Sequence, residues 1–396
     1  MKHTSSAPRR LLLGPGPSPV DDRVMAALCQ PPVGHLDPFF VELMGEIRRL
    51  LRFVFETEND ATFPISGTGT AGMEAALVNV LDERSTIIVG VMGYFGERMA
   101  EIAARTGARV IRVEAEWGKP IDTSKVVAAL NAHPDARALA LVHAETSTGV
   151  LQPLAELAEY LAPREDMLFI VDAVTSLGAH RVGVECNRID VCYSCSQKAL
   201  GALPGLAPIT FSPRAVELVR SRPKPVPSWY LDVTTLERYW GDHPTYHHTA
   251  PVSLNYALAE ALRQLDAEGL EARQRRHRLT SRAFVAGIEA MGLAMFVTSK
   301  HRLTTIATVR VPDGIEEGRV RGRLLEEFGI EIGAGIGSLR GQIWRIGFMG
   351  HGSSRPNVIL FLSALESVLR TEGLATDSGV AAANEVYRDD ALERTA

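Results

Sequence analysis

The feature that most constrains the fold is a regular alternation of short apolar segments with amphipathic segments between residues 86 and 211. Apolar runs of five or six residues, rich in β-branched and aliphatic side chains, are typical of buried strands. Apolar residues spaced three and four apart predict helices between the earlier strands, around 96–105, 122–131 and 153–161. This alternation predicts an α/β fold with a mostly parallel sheet flanked by helices. The predicted strands are 86–91, 108–113, 137–142, 167–171, 189–193 and 206–211.

A proline-rich segment at 221–230 interrupts this alternation. Long helices are predicted after it, from about 252 to 291, and two further strands at 303–311 and 342–347 then flank a helix at 315–328. This different arrangement predicts a second, smaller α/β domain. The predicted division is an N-terminal segment at 1–20, a large domain at 21–280 and a small C-terminal domain at 281–396.

Composition and charge argue against several classes of protein. The chain has 396 residues, of which 46% are hydrophobic, so it can bury one large core and a smaller one. The formal net charge of −5 and the lack of basic runs predict no nucleic-acid partner. No apolar run approaches the ~18–20 residues of a membrane span, so we expect no membrane association and a cytoplasmic location. The residues after Ser378 are compatible with either a helix or a loose tail.

The cysteines and the paired histidines predict neither a disulfide framework nor a metal site. Four cysteines are too few for such a framework in a chain of this length. Cys192 and Cys195 form one C-x-x-C pair, but a zinc ribbon needs a second pair, so we interpret both as core residues. His247 and His248 lack further ligands at suitable spacing, and no metal is expected there.

A glycine-rich turn at the start of a predicted helix raises the question of a phosphate site. Gly67, Gly69 and Gly72 in SGTGTAGMEAAL match the G-x-G-x-x-G pattern of dinucleotide-binding proteins. That pattern also needs an acidic residue about 20 residues further on, and no Asp or Glu lies between Glu83 and Glu97. A P-loop is excluded because no Gly-Lys-Ser/Thr follows. Two interpretations remain, a helix N-terminus that binds a single phosphate and an ordinary capped helix.

One lysine and one aspartate are predicted to lie at the same edge of the sheet. Among six lysines, Lys198 alone stands among small and apolar residues directly after a predicted strand, where an amine is costly to desolvate unless it is used. Asp172 ends the predicted strand LFIVD, and the spacing of 26 residues permits adjacent strands. Pyridoxal phosphate requires a lysine amine, an acid for its ring nitrogen and a helix N-terminus for its phosphate. A site for this cofactor is one interpretation, and a structural Asp and Lys is the other.

Longer motifs extend this picture to nearly the whole chain. The chain contains, in this order, LLLGPGPSPV, SGTGTAGMEAALVNVL, HAETSTGVLQP, VDAVTSLG, YSCSQKALGALPG, YHHTAPV and WRIGFMG. Together these motifs resemble those of the class V, fold type I aminotransferases that use pyridoxal 5'-phosphate, in particular the alanine–glyoxylate and serine–pyruvate group. The resemblance implies a large cofactor-binding domain, a small C-terminal domain and an N-terminal segment over the active site.

The resemblance implies roles for residues around the cofactor. Lys198 would form a Schiff base with it and move the substrate proton, and Asp172 would pair with the pyridine nitrogen. Phe95 would stack on the ring, where relatives carry tryptophan, although it is also compatible with an ordinary core position. Thr146 would approach the phenolic oxygen. The residues that would hold the phosphate are Thr68, Gly69, Thr70 and Gln197.

The resemblance also implies residues for the substrate and for a second subunit. Gly16 would shape a loop over the substrate, and Arg345 would clamp the substrate carboxylate, since the planar guanidinium suits that group. Arg345 also lies in an alternating segment and is compatible with the solvent face of a strand. Tyr246 and Thr249 would reach the phosphate of the neighbouring subunit, which implies a homodimer with shared active sites.

The expected reaction is transamination of alanine or serine with glyoxylate or pyruvate as acceptor, glyoxylate giving glycine. Aspartate or a less usual amine is the alternative donor within the same family. A cysteine desulfurase shares this fold but needs a nucleophilic cysteine on a mobile loop. The candidate loop at 333–341 has no cysteine, and all four cysteines lie before residue 200. We therefore expect an aminotransferase.

Overall fold

The computed structural model describes residues 7–393, which form two compact units. The first six residues of the predicted N-terminal segment, and residues 394–396, lie outside this range. The large unit comprises Val20–Gln274 and Val297–Leu303. The small unit comprises the chain up to Pro19, Arg275–Phe296 and the chain from Thr304 onward.

Strands and helices alternate through most of the described chain. The strands are β1 (Leu11–Leu12), β2 (Ala61–Ser66), β3 (Thr86–Val91), β4 (Arg109–Glu114), β5 (Ala138–Val142), β6 (Ala144–Glu145), β7 (Val150–Leu151), β8 (Leu168–Asp172), β9 (Val191–Tyr193), β10 (Leu206–Phe211), β11 (Ile306–Arg310), β12 (Ile330–Glu331), β13 (Gly333–Ala334) and β14 (Ile343–Gly347). The helices are α1 (Asp22–Leu28), α2 (Pro38–Phe55), α3 (Gly69–Val80), α4 (Tyr94–Arg105), α5 (Thr123–Ala132), α6 (Ala155–Leu161), α7 (Pro213–Arg220), α8 (Val233–Trp240), α9 (Val252–Glu268), α10 (Leu270–Ala290), α11 (Glu317–Phe328), α12 (Arg355–Thr371) and α13 (Gly379–Glu393).

The large unit is built on a seven-stranded sheet in the order β2-β10-β9-β8-β5-β3-β4. Strand β10 pairs antiparallel with both of its neighbours, and the other pairings are parallel. The predicted α/β fold with a mostly parallel sheet flanked by helices is confirmed. Strand β2, which contains Pro64, was not predicted from the sequence. Proline argues against a central strand but is tolerated at an edge, and β2 is an edge strand.

The sheet directs the site residues to one edge. Strands β3, β5 and β8 are buried along their whole length, as expected for a parallel sheet covered on both faces. Strands β2, β3, β5, β8 and β9 run in the same direction, so the segments that follow them meet at the same edge. Ligands of open parallel sheets bind at this carboxyl edge.

The small unit has its own sheet and its own core. Strands β11, β14 and β13 form an antiparallel sheet, and β1 pairs in parallel with β12. The aromatic core includes Phe284, Phe348 and Phe361, with the Phe284 ring 5.1 Å from that of Phe348 and 5.7 Å from that of Phe361. The C-terminal residues, for which the sequence left a helix and a tail open, form helix α13, whose Ala383 and Tyr387 are buried. Within residues 7–393, no helix is long and apolar enough to cross a membrane.

Candidate active site

The carboxyl edge of the large sheet holds a cavity of about 200 Å³. Its wall combines hydroxyl groups, a carboxylate, an amide and an amine. Four lining residues were not singled out as site residues in the sequence, namely Met73, Arg98, Val174 and Cys195. The predicted site residues that line it are Thr68, Gly69, Thr70, Phe95, Thr146, Asp172, Gln197 and Lys198.

Helix α3 begins at this cavity and presents its N-terminus to it. Six helices of the described chain start at an Asp or Ser whose side chain accepts a hydrogen bond from the first turn. Thr68, at the N-cap of α3, makes no such side-chain hydrogen bond. The first-turn amides and the dipole of α3 therefore suit an anion such as a phosphate.

The glycines of the G-x-G-x-x-G pattern allow helix α3 to pack closely against the sheet. A Cβ atom on Gly69 would lie 3.1 Å from Cys195 Cβ, and one on Gly72 would lie 3.2 Å from Ala207 Cβ and 3.3 Å from Tyr193 Cβ. These contacts are tighter than ordinary packing distances. The pattern therefore holds the start of α3 close to the sheet, as it does in dinucleotide-binding proteins. The acidic residue of a dinucleotide site is lacking here.

Asp172 ends strand β8 and is held by two donors. The hydroxyl of Tyr193 donates to Oδ2 at 2.9 Å, and the amide of Val174 donates to Oδ1 at 2.8 Å. Asp172 and Tyr193 are paired in the register of β8 and β9, which explains why the two side chains meet. Tyr193 was not predicted as a site residue, and its only signal in the sequence was its place on the strand before Lys198.

Burial dominates the electrostatics of this carboxyl group. It raises the pKa of Asp172 to about 7, against the lowering effect of the hydrogen bonds from Val174 and Tyr193. Burial also raises the pKa of Tyr193 well above its usual value, so the phenol stays protonated and donates. A buried carboxyl group with these partners is suited to a cationic group in the cavity, because the opposite charge would offset the cost of desolvation.

Gln197 and Lys198 lie in the turn that follows β9 and line the cavity. Cys192 and Cys195 are free and buried, as expected of core cysteines, and Cys195 also lines the cavity. Burial raises the pKa of Cys195 to about 12, so its thiol is uncharged at neutral pH. Lys198 supplies the amine of the cavity wall.

Helix α4 supplies the aromatic wall of the cavity. Phe95 is half-buried and lines the cavity, so it does not belong to the ordinary core. Arg98 lies one turn later on the same helix, with its guanidinium carbon 5.1 Å from the centroid of the Phe95 ring. Its Nη1 donates to Thr70 Oγ1 at 3.1 Å. The spacing of three residues from Phe95 was the signal that would have found Arg98.

Thr146 forms part of another wall, after strand β5. Its hydroxyl oxygen lies 2.5 Å from that of Thr175, and the two share a hydrogen bond. Thr175 lies in the turn that follows β8, three residues after Asp172, and β8 is the neighbour of β5 in the sheet. This contact holds the segments after β5 and β8 together at the cavity.

Tyr246 and Thr249 do not line this cavity. They belong to a loop between α8 and α9 that is fixed by the two histidines between them. His248 Nε2 lies 2.7 Å from Ser66 Oγ, and His247 Nδ1 lies 2.8 Å from His248 Nδ1. Burial lowers the pKa of both imidazoles, that of His248 to about 4, so neutral rings can share this hydrogen bond.

Gly16 and Arg345 belong to the small unit. Gly16 has φ of 104°, a left-handed conformation that favours glycine. Arg345 is 8% exposed on β14, the central strand of its sheet, and its Nε donates to Ala334 O at 2.7 Å. The alternative interpretation of Arg345 as a residue on the solvent face of a strand is therefore wrong, because the residue is buried.

The chemistry of the cavity wall fits pyridoxal phosphate. An amine, a buried carboxyl group, an aromatic ring and a helix N-terminus all face one space, and these are the groups that the cofactor requires. Residues 7–393 contain no cluster of three or more His, Cys, Asp or Glu side chains placed to hold a metal ion.

Comparison with known proteins agrees with this chemistry. Residues 24–348 match the model of the family described as aminotransferase class-V. The chain belongs to the class-V aminotransferases. As a class-V aminotransferase it is an enzyme that depends on pyridoxal 5'-phosphate, and the resemblance seen in its motifs is confirmed.

Relatives of this class-V aminotransferase cover almost its full length. The (S)-ureidoglycine–glyoxylate transaminase of Bacillus subtilis is 38% identical over 96% of both chains. The alanine–glyoxylate aminotransferase of Callithrix jacchus is 41% identical, covering 92% of this chain and 89% of that protein. The crystal structure of an alanine–glyoxylate aminotransferase from Nostoc sp. superimposes with a TM-score of 0.91 at 44% identity, covering 93% of this chain and 98% of that one. The fold is therefore that of fold type I aminotransferases.

Proposed function

We propose that this aminotransferase transfers the amino group of alanine or serine to glyoxylate, or to pyruvate, giving glycine from glyoxylate and a 2-oxo acid from the donor. The likeness to alanine–glyoxylate aminotransferases over more than nine-tenths of the chain carries the proposal. Glyoxylate stands in the names of both groups of relatives, so it is the better supported acceptor.

The residues of the cavity have distinct tasks in this reaction. When bound, the cofactor supplies a conjugated ring that withdraws electrons from the substrate. Lys198 Nζ would take the proton from the Cα of the donor and carry it to the cofactor, and in the second half-reaction it would deliver a proton to the Cα of the new amino acid. The carboxylate of Asp172 would hold the proton on the ring nitrogen. Phe95 would cover the ring, and the start of α3, with Gln197, would bind the phosphate. Thr146 would approach the phenolic oxygen.

Arg345 is the carboxylate clamp in this proposal. The buried guanidinium of Arg345 binds the α-carboxylate of the substrate in a bidentate manner, which a lysine cannot do. Gly16, with its left-handed backbone, shapes the loop that covers the substrate.

A second donor has a specific observation in its favour. The Bacillus subtilis relative is named for ureidoglycine, a less usual amine, and it matches this chain over 96% of its length. Aspartate is the remaining alternative. These donors differ in the group that they carry beyond the Cα atom, so donor selectivity separates the candidates.

A panel of donors and acceptors tests the proposal. The holoenzyme is mixed with alanine, serine, aspartate or ureidoglycine. The decrease in the visible absorbance band of the bound cofactor is then measured. Glyoxylate or pyruvate is then added to restore that absorbance. We expect restoration with glyoxylate. If neither acceptor restores the absorbance, the assignment to this group is wrong, and release of sulfide from cysteine without an oxo acid would indicate a lyase.

We also propose a homodimer whose active sites are shared. Tyr246 and Trp229 are 63% and 62% exposed, and their rings lie against His35 at 5.2 Å and against His247 at 4.3 Å. Exposed aromatic surface of this kind marks interaction sites. Tyr246 and Thr249 would complete the phosphate site of the other subunit. We further propose a cytoplasmic location without nucleic-acid or membrane partners, and the four unpaired cysteines are consistent with a reducing compartment.

A further inference from the structure

Helix α4, which carries Phe95 and Arg98 at the cavity, has no side-chain hydrogen bond from its own N-cap residue. Its N-cap residue is Gly93, which has no side chain to accept a hydrogen bond. The first amides of the helix instead donate to the side chains of Glu145, on strand β6, and of Ser147, two residues later. Ser147 Oγ accepts from the amide of Tyr94 at 3.0 Å. Glu145 Oε2 accepts from the amides of Phe95 and Gly96, both at 3.2 Å.

Glu145 is fully buried, at 0% exposure, and its other oxygen is also occupied. Oε1 accepts from the amide of Ser147 at 3.1 Å and from the hydroxyl of Ser147 at 2.6 Å. Burial raises the pKa of this carboxyl group, and the hydrogen bonds from Ser147, Gly96 and Phe95 oppose that effect. Because its backbone neighbours are donors, the ionised form, which only accepts, matches this environment.

Glycine at position 93 allows the carboxylate of Glu145 to lie close to the start of helix α4. A Cβ atom on Gly93 would lie 2.4 Å from Glu145 Cγ and 2.5 Å from Ser147 Oγ, so only glycine leaves room for this approach. Glu145 directly precedes Thr146, which lines the cavity on another wall. One carboxylate thus joins two walls of the cavity, the one that bears Phe95 and the one that bears Thr146.

We propose that Glu145 is a positioning residue for the cofactor, because it sets the distance between the aromatic wall on α4 and the wall that follows β5. It acts through Phe95 and Thr146 and does not line the cavity itself. The reaction and the family do not depend on this role, so its failure would leave the proposed function intact.

The substitution Glu145→Gln tests this role with little change in volume. The amide has one acceptor oxygen and one NH2 donor, so in either orientation its NH2 group faces backbone N–H groups that need an acceptor. The loss of hydrogen bonds to a charged acceptor changes an equilibrium constant by roughly tenfold or more. We expect the Kd for pyridoxal phosphate to rise at least about tenfold. We also expect the visible circular dichroism per bound cofactor to change, because this signal reports the ring geometry.

The matched control is Glu97→Gln, on the same first turn of α4. Glu97 is partly exposed and pairs with Arg112 at 2.6 Å on the surface. We expect its Kd and its circular dichroism band to match those of the wild type. Urea unfolding of each cofactor-free variant, at the temperature of the titration, shows which proteins are folded. A general loss of stability is thereby measured separately from a change in cofactor affinity.

A second variant keeps the test decisive if Glu145→Gln does not fold. Ser147→Ala removes the 2.6 Å partner of Glu145 and the acceptor of the Tyr94 amide, but it leaves the carboxylate in place. It should raise the Kd and change the band in the same direction, to a smaller extent. A wild-type Kd and band in folded Glu145→Gln would overturn the proposal, as would a wild-type Kd and band in Ser147→Ala if only that variant folds.

Discussion

Arg98 donates a hydrogen bond of 3.1 Å from Nη1 to the hydroxyl of Thr70, and this contact joins helix α4 to the first turn of helix α3. The same guanidinium lies 5.1 Å from the ring centroid of Phe95. Its charge also lowers the pKa of Asp172, against the effect of burial. One side chain therefore influences the phosphate end, the aromatic wall and the acid of the cavity.

Replacing Arg98 should weaken cofactor binding. Arg98→Gln removes a charged donor beside the first turn of α3, and such a hydrogen bond contributes about 1.5–3 kcal/mol. We expect the Kd for pyridoxal phosphate to rise roughly tenfold or more, measured by titration of the cofactor-free enzyme at low and high salt. Arg105→Gln, on the same helix but exposed and paired with Glu101 at 2.5 Å, is the control and should bind normally. An unchanged Kd in Arg98→Gln would contradict this role.

Replacing Lys198 should remove both the covalent link to the cofactor and the proton carrier. A positioned acid or base contributes about 10²- to 10⁴-fold to a rate, so Lys198→Ala should lose at least that much turnover. The visible absorbance of the lysine-linked cofactor should also be absent. Lys119→Ala, at an exposed lysine that pairs with Glu116, should keep both properties. Lysine-linked absorbance in purified Lys198→Ala would place the covalent site elsewhere.

Asp172 should make the cofactor-free protein less stable as the pH rises. Because burial raises the pKa of Asp172 from 3.8 to about 7, the folded state binds more protons than the unfolded state between pH ~4 and pH ~7. The free energy of unfolding therefore falls across this window, by at most about 4 kcal/mol for this group. Asp172→Asn removes this contribution, so its stability should depend less on pH. Urea unfolding at both ends of the window measures the difference, and parallel profiles for the two proteins would refute the prediction.

A hybrid dimer should recover activity from two inactive parents. One parent carries Lys198→Ala, and the other carries Tyr246→Ala with Thr249→Ala. In a hybrid, one site combines the intact Lys198 of one chain with the intact loop of the other, and its twin carries all the defects. Random assembly makes about half of the dimers hybrid, so activity should return to roughly a quarter of the wild-type level. Hybrids that form but show no recovery would mean that Tyr246 and Thr249 do not serve the site of the other subunit.

The sequence predicted most of the cavity because strand ends are visible in a hydrophobic pattern. Asp172 and Lys198 both stand at or just after an apolar run, and parallel strands bring such positions to one edge. Thr68 and Gly69 precede a periodic helical segment and so mark a helix start. The edge strand β2 was missed, because Pro64 is unusual in a strand.

Other members of the site have a weaker local signal, as Arg98 has in its spacing of three residues from Phe95, or none. Tyr193 contacts Asp172 because of the register between β8 and β9, and register depends on the packing of the whole sheet. Arg98 and Cys195 line the cavity because of how α4 and the turn after β9 are rotated against it. Glu145 caps a helix that begins some 50 residues earlier in the chain, and no local pattern links the two.

The amino-acid sequence by itself determined the class of fold, the family motifs and the positions of the lysine, the aspartate and the proposed phosphate-binding turn, because these follow from local periodicity and from residue chemistry. Only the tertiary structure decided which side chains hold them. The register of β8 and β9 placed Tyr193 on Asp172, the packing of α4 placed Arg98 on Thr70, and the approach allowed by Gly93 placed Glu145 on α4. These contacts join residues far apart in the chain, and their geometry arises only when the core packs.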